Sequence, residues 1–280
     1  MNDDFSEIYL GKYSECSFNS FYEKYNRVKE KGRGHSFSSE RDYSSYLRMV
    51  DLFNNLDAND DLLFRKNSSS DEGKIFNWIS SVKNKANLIQ SFNSLDYKGV
   101  DKKQLINLVK LSRDQDFLVK IPKMLLSYGV IVVYQDYIPG MKLDGVLFKN
   151  DFGVPVIGIS FRYKRVDSFW FTLIHELCHL VLHYEIINNF IIEDFDVEDE
   201  SRIESEANKL ARDILIPKQA WRSSDARVNK SKNSVLNLAE RLGIHPAIIA
   251  GRIRFENDNY SLLNGIEGKI EMDILKNGKN

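Results

Sequence analysis

One helix constrains the fold of this chain more than any other feature of its sequence. The stretch from Ser168 to Tyr184 contains neither proline nor glycine. Its apolar residues recur every three or four positions, which predicts an amphipathic α-helix with one face in a core. This stripe consists of Phe169, Leu173, Leu177 and Leu180. Any fold of the chain therefore has to bury one side of this helix.

The same helix carries the sequence His-Glu-Leu-Cys-His at positions 175–179. Residues four apart lie on one face of a helix, so His175 and His179 can direct two imidazole nitrogens at one tetrahedral zinc ion. Glu176 is then placed to take a proton from a zinc-bound water. The pattern predicts a zinc hydrolase, and the alternative is a buried helix with two hydrogen-bonded histidines.

A catalytic zinc usually has three protein ligands and one water, so a further ligand is expected. His183 does not suit this role, because eight residues of helix separate it from His175 by about 12 Å. Cys178 is also unsuited, because it points about 60° away from the histidine face. We expect His183 to be a polar residue at the helix end and Cys178 to be a small buried residue.

A better candidate lies on a second amphipathic helix, which is predicted over residues 203–216 and ends at Pro217. On this helix Glu204 and Asn208 share one face, which we expect to point toward the first helix. Glu206 lies about 200° around the helix from Glu204 and is expected to point elsewhere. A solvated carboxylate is the alternative for either glutamate.

These motifs together resemble the ImmA/IrrE metallopeptidases. The resemblance rests on the HExxH helix, the acidic connector after it, and Glu-x-x-x-Asn on a helix that closes with Ile216-Pro217. The run from Pro155 to Leu173 resembles the members that are often fused to a Cro/CI-like helix-turn-helix. The resemblance covers residues 115–256, and it departs from the family at Cys178, where Gly or Ala is usual.

The resemblance implies a gluzincin-like zinc site with Glu204 as third ligand, Glu176 as base and Asn208 as a residue that orients a ligand. It also implies a protein substrate, such as a helix-turn-helix repressor in a prophage, mobile element or stress-response circuit. The alternative is an antitoxin or regulatory binding module that keeps the peptidase fold and turns over little. The intact residues His175, Glu176, His179 and Glu204 favour the enzyme.

Three short strands are predicted before the HExxH helix, over Val130–Tyr134, Leu143–Phe148 and Val154–Phe161. We therefore expect an α+β fold, in which a small and mostly antiparallel sheet packs on the HExxH helix and on the second ligand-bearing helix. An edge strand above the metal could bind an extended peptide through its backbone. The candidate edge consists of Val156, Ile157, Gly158, Ile159, Ser160 and Phe161, and the alternative is an internal strand.

Three regions are predicted along the chain. Residues 1–112 form an α-helical accessory region with helices around 18–29, 42–56 and 74–92. Residues 113–256 form the zincin-like peptidase domain, and residues 257–280 form a peripheral tail. Residues 236–254 have the form of a helix-turn-helix, but Ala247 to Ala250 are poor base readers, so we expect this segment to close the peptidase domain rather than to bind DNA.

The composition is that of a cytoplasmic enzyme. The net charge of −1 gives no reason to expect a nucleic-acid partner. Two cysteines are too few for a disulfide framework. The acidic N-terminus lacks a hydrophobic signal region, and no apolar run is long enough to span a membrane.

Overall fold

The computed structural model describes residues 72–150, 152–187, 191–192, 202–266 and 268–271. The helices predicted around 18–29 and 42–56 lie outside these residues. The helix predicted around 74–92 is found as α1. The helices of the described residues are α1 (Glu72–Ser91), α2 (Lys102–Lys110), α3 (Phe117–Ser127), α4 (Val166–Leu182), α5 (Arg202–Leu215), α6 (Lys218–Arg222), α7 (Asp225–Asn229), α8 (Lys232–Leu242) and α9 (Pro246–Glu256).

The sheet has four strands, which are β1 (Ile131–Tyr134), β2 (Gly145–Lys149), β3 (Pro155–Ile159) and the two-residue β4 (Ile191–Ile192). Their order across the sheet is β1-β3-β2-β4. Strand β3 pairs with β1 in parallel and with β2 antiparallel, and β2 pairs antiparallel with β4. The prediction of an α+β fold with a small, mostly antiparallel sheet is confirmed.

The predicted edge strand, Val156 to Phe161, is not at an edge. Strand β3 pairs with β1 from Val156 to Ile159 and with β2 from Pro155 to Ile159, so both of its sides carry ladder hydrogen bonds. Beyond the strand, Phe161 adopts a left-handed backbone with a φ of 50°. The prediction of an edge was wrong because strand order depends on long-range pairing, which a single sequence does not encode locally.

The sheet is covered by helices on both faces, because its side chains alternate between two apolar layers. Trp78 and Ile79 of α1 pack on one face, and α3 and α4 pack on the other. The sheet residues on the α1 side include Ile131, Val133, Val146, Phe148 and Val156. Those on the α4 side include Val132, Leu147, Ile157 and Ile159. Helix α4 is thereby held rigidly beneath the sheet.

Helices α4 and α5 pack directly against each other. Ala207 and Ala211 on α5 are fully buried in the same core as Leu173 and Leu177 of α4. Alanine allows two helix backbones to approach closely, since its side chain extends only one carbon from the helix. This contact sets the distance at which polar side chains of α5 can reach α4.

The C-terminal pair of helices has the predicted helix-turn-helix form. Gly243 ends α8 with a φ of 69°, and the ring of His245 caps α9 by accepting a hydrogen bond from the amide of Ala247. Helix α9 packs on α4 and is buried along Ala247, Ile248, Ile249 and Ala250. Ala247 to Ala250 are therefore part of the core and are not accessible to the bases of a DNA groove.

Residues after α9 differ from the peripheral tail expected from the sequence. The amide of Val166, the first residue of α4, donates to the carbonyl of Gly268 at 2.6 Å, and the amide of Ile270 donates to the carbonyl of Lys164 at 3.0 Å. Ile266 and Ile270 are buried in the main core. This C-terminal strap, residues 259–266 and 268–271, therefore anchors the start of α4.

A buried arginine holds the strap in place. Arg254 of α9 donates to the carbonyls of Leu262 and Leu263 at 2.8 and 3.0 Å, and its guanidinium lies 3.5 Å from the carboxylate of Asp167. Both charged side chains are at most a tenth exposed. Arg254 thus links α9, the strap and the first turn of α4.

No helix within the described ranges combines the length and the apolar character needed to cross a bilayer.

Candidate metal centre

Helix α4 presents the HExxH residues in the interior of the protein. The helix runs from Val166 to Leu182 without interruption, and His175, Glu176 and His179 are each 0% exposed. The two histidines lie one turn apart, and their Nε2 atoms approach to 3.0 Å. Two buried imidazole nitrogens that face each other so closely need a shared proton or a shared cation between them.

Helix α5 brings Glu204 to the same point. Its Oε2 atom lies 3.5 Å from the Nε2 atom of His175 and 3.5 Å from that of His179. Within the described residues, these three are the only group of histidine, cysteine or acidic side chains that could hold a metal ion, with ligand atoms within 4.8 Å of one another. The structure therefore brings together the three residues expected to bind zinc.

The donor set fits a tetrahedral zinc ion. Zinc binds histidine nitrogen and carboxylate oxygen at about 2.0–2.2 Å, so ligand atoms around one tetrahedral ion are separated by about 3.3–3.6 Å. The three separations found here, 3.0, 3.5 and 3.5 Å, agree with this arrangement to within about 0.3 Å. Two imidazoles and one carboxylate are also the donor types that catalytic zinc uses.

The electrostatics of Glu204 also suit a cation. Burial raises the pKa of the Glu204 carboxyl, but hydrogen bonding to His175 and His179 outweighs it and holds the pKa below its ordinary value. The group is therefore charged at neutral pH. A carboxylate that stays ionised inside the protein is ready to act as a metal ligand without first losing a proton.

Glu176 lies against the backbone of strand β2. A Cβ atom built on Gly145 would come within 2.3 Å of Oε1 of Glu176 and 2.7 Å of Cγ2 of Thr172. Only glycine leaves room for the carboxylate in its present position. Gly145 is thus a site residue that the sequence analysis missed, although a glycine inside a predicted strand is a known signal of close backbone approach.

His183 lies outside the metal-binding group, as expected, but it contacts that group from behind. Its Nδ1 atom is 3.2 Å from Nδ1 of His179, and its Nε2 atom is 3.3 Å from Oε2 of Glu206. Glu206 in turn accepts a hydrogen bond of 2.8 Å from Nε of Arg202. Glu206 was expected to point away from the side of α5 that carries Glu204, and its contact with His183 was therefore missed.

The charge of His183 follows from its surroundings. Burial lowers the pKa of the His183 imidazole, Glu206 raises it, and His179 lowers it, with a net decrease from the ordinary value. His183 is therefore neutral at neutral pH. A neutral imidazole has one nitrogen that donates and one that accepts, so both of its contacts can be hydrogen bonds.

The remaining candidates from the sequence are Asn208, Cys178 and the residues of strand β3. Asn208 lies one turn after Glu204 on α5 and is 8% exposed. Cys178 is fully buried in the core formed by α4 and its neighbours, and it is not among the metal-binding residues. The candidate substrate-binding residues Val156 to Ile159 lie on the internal strand β3, where the ladder hydrogen bonds of β1 and β2 leave no free edge for a peptide.

Comparison with protein families identifies the region that contains this site. Residues 127–254 match the Peptidase M78 model, which is described as the IrrE N-terminal-like domain. The matched range begins at the end of α3 and ends within α9, and it contains His175, Glu176, His179 and Glu204. No match is found among curated proteins. The family match supports a metallopeptidase-type function.

Proposed function

The chain belongs, through residues 127–254, to the M78 peptidase family of IrrE N-terminal-like domains, and on this premise we propose that it is a zinc-dependent metallo-endopeptidase. It hydrolyses a peptide bond in a specific protein target. One observation carries the proposal: His175, His179 and Glu204 converge on a single point. Glu176, which follows His175 on α4, is buried. The location is cytoplasmic.

The residues that would hold a zinc ion are His175 and His179, through their Nε2 atoms, and Glu204, through Oε2. When bound there, the ion lowers the pKa of a water molecule toward about 7 and polarises the scissile carbonyl. Asn208, buried one turn below Glu204, orients a ligand of the ion. The rigid packing of α4 against α5 keeps these side chains in place, because their backbones are fixed by the core.

Glu176 carries the protons of the reaction. Its carboxylate accepts a proton from the attacking water, and it then returns this proton to the nitrogen of the leaving amine. The burial of Glu176 supports this role, because a carboxylate shielded from bulk water exchanges its proton with the reacting groups rather than with solvent. Gly145 supports this role too, because its lack of a side chain leaves the Glu176 carboxylate space to face the reacting groups.

The target is a protein rather than a nutrient peptide, and the family resemblance favours a helix-turn-helix repressor in a prophage, mobile element or stress-response circuit. This protein would then act in transcription regulation by removing a repressor. We propose no DNA-reading role for its own helix-turn-helix-shaped segment, because Ala247 to Ala250 of α9 are buried.

A comparison of cleavage products in the native host tests the proposal. The wild-type chain and Glu176→Gln are expressed separately at equal levels, and new protein N-termini are identified by mass spectrometry. We expect at least one cleavage that occurs only with the wild-type chain, and a metal analysis that finds zinc in both proteins. If no such cleavage occurs and both proteins produce the same cellular response, the chain is instead a regulatory binding module, as an antitoxin would be.

A further inference from the structure

His183 follows the last residue of helix α4 as its C-cap and contacts His179 on the side away from the candidate metal centre. The residues His175, His179 and His183 are spaced four apart, so all three rings lie along one face of α4. The ring of His183 contacts His179 on the Nδ1 side, opposite to the Nε2 atom that faces His175 and Glu204. His183 is buried, with 8% of its surface exposed.

The direction of each hydrogen bond in this group follows from the role of His179. A histidine that binds a metal through Nε2 is neutral and carries its proton on Nδ1. That proton points at Nδ1 of His183 over 3.2 Å, so His183 accepts at Nδ1 and carries its own proton on Nε2. Nε2 then donates to Oε2 of Glu206 over 3.3 Å.

An ion pair holds the far end of this series of hydrogen bonds. The other carboxylate oxygen of Glu206 accepts a hydrogen bond of 2.8 Å from Nε of Arg202, one turn earlier on α5. The hydrogen bonds therefore run from the metal-binding point through His179 and His183 to an ionised glutamate. In metalloproteins a carboxylate that receives the second N–H of a histidine ligand fixes the ring and raises its basicity. Here His183 transmits that effect over one additional ring.

We propose that His183 and Glu206 are positioning residues that act on the metal through His179. They hold His179 in the tautomer that exposes Nε2 and keep its ring turned toward Glu204. Helix α5 then contributes to the centre twice, with Glu204 as a ligand and with Glu206 as the anchor of the hydrogen-bond chain. This inference rests on the proposed metal site and goes beyond it, because neither residue is a metal ligand.

A purely structural role of His183 makes a different prediction. The amide of His183 donates to the carbonyl of His179 at 2.7 Å, and any residue at position 183 can make this helix-closing bond. If His183 served only to close the helix and fill space, its replacement would lower stability without changing zinc affinity in the folded protein. The two roles are therefore separated by measuring affinity and stability on the same variants.

The test uses the full chain and three substitutions. His183→Leu removes the acceptor but keeps the volume, His183→Asn restores an acceptor near the position of Nδ1, and Glu206→Ala removes the anchor at a half-exposed position. Zinc affinity is measured by competition with a chromogenic chelator, and unfolding is followed by circular dichroism. Glu256→Ala is the matched control, because it removes an i,i+4 Arg–Glu pair with the same 2.8 Å distance on a helix that does not carry the site.

We expect His183→Leu to weaken zinc binding by roughly 10-fold or more, as is typical when a partner of a ligand is removed. His183→Asn should recover most of the loss, Glu206→Ala should weaken binding by less than His183→Leu, and Glu256→Ala should not change it. Nitrogen NMR of the zinc-loaded, histidine-labelled wild-type chain should show a proton on Nδ1 of His179 and on Nε2 of His183.

Two outcomes overturn the inference. One is an unchanged zinc affinity in every variant of the pair His183→Leu and Glu206→Ala that folds, and the other is an NMR spectrum with the proton of His183 on Nδ1. Glu206→Ala keeps the test decisive if His183→Leu does not fold, because Glu206 lies at the surface. A wild-type chain that binds no zinc would instead contradict the proposed function, so the two failures can be told apart.

Discussion

Gly145 and Glu176 are in such close contact that no side chain fits between them. A Cβ atom at position 145 would lie 2.3 Å from Oε1 of Glu176, well inside van der Waals contact. The first residue of strand β2 therefore defines where the carboxylate can sit. The relationship links a backbone position in the sheet to a side chain on helix α4.

Replacement of Gly145 by alanine should impair catalysis while the metal remains bound. The new methyl group displaces the Glu176 carboxylate, whose side chain can rotate, and a displacement of about 1 Å can lower activity about 100-fold. Cleavage of the identified target and zinc content are measured on the same preparation. Gly265→Ala is the control, since a Cβ there would meet nothing nearer than the Lys232 amine at 3.9 Å. Equal loss of activity in both variants would contradict the role given to Gly145.

The three converging residues should each be needed for metal binding. We expect about one zinc ion per wild-type chain, little in His179→Ala, and an affinity for Glu204→Gln that is lower by roughly 10-fold or more. Elemental analysis and chelator competition measure these values. Glu185→Gln, an exposed acid near the end of α4 that the group does not include, serves as the control. A normal zinc content in His179→Ala would mean that the metal lies elsewhere.

Glu176→Gln should separate metal binding from catalysis. The amide is isosteric with the carboxylate but cannot accept the proton of the attacking water, so cleavage should cease while zinc content and circular dichroism stay as in the wild type. A variant that still cleaves the target at the wild-type rate would exclude Glu176 as the base.

Zinc should stabilise the folded protein through this site. A ligand that binds only the native state adds about 2.7 kcal/mol of stability when its free concentration is 100 times its Kd. Wild-type protein stripped by a chelator should therefore unfold at lower urea concentration than zinc-loaded protein. His179→Ala should show almost no difference between the two conditions. A zinc-dependent shift of wild-type size in His179→Ala would show that the stabilising ion binds at another place.

Arg254→Met should destabilise the fold without changing the residues of the site. Methionine cannot donate to the carbonyls of Leu262 and Leu263, and hydrogen bonds from a charged donor are worth about 1.5–3 kcal/mol each. Asp167 keeps its ion pair with Arg165 in this variant. Urea unfolding of metal-free protein measures the effect. Arg227→Met is the control because Arg227 is exposed. A cost below about 1 kcal/mol, the range of a surface pair, would mean that Arg254 does not secure the strap.

Local patterns predicted much of the fold. The apolar stripe and the HExxH spacing identified α4, and the positions of Glu204 and Pro217 identified α5 and its end. Runs of β-branched residues located three of the four strands to within two residues at most ends. Each of these signals is set by neighbours in the sequence, because helix and strand periodicity are local properties.

The features that were missed depend on contacts between distant parts of the chain. The internal position of β3 arises from pairing with both β1 and β2, and the approach of Gly145 to Glu176 joins a strand to a helix. The contact between His183 and Glu206 depends on how α4 and α5 are rotated relative to each other. Helical geometry alone predicted that Glu206 points away from the side of α5 that carries Glu204. Side-chain length allows Glu206 to reach a ring that its Cα position does not face.

The C-terminal strap is synthesised after helix α4, although it forms hydrogen bonds with the start of that helix. Domains begin to fold while the chain is still being made, from the N-terminus onward. A nascent chain extended only to Glu256 already contains His175, His179 and Glu204, but it lacks the Gly268 carbonyl that binds the amide of Val166. The hydrogen bonds at the start of α4 are thus complete only after translation has passed Ile270. A ribosome-bound fragment that ends at Glu256 would therefore carry the three residues of the candidate metal centre on a helix whose first residue still lacks this hydrogen bond.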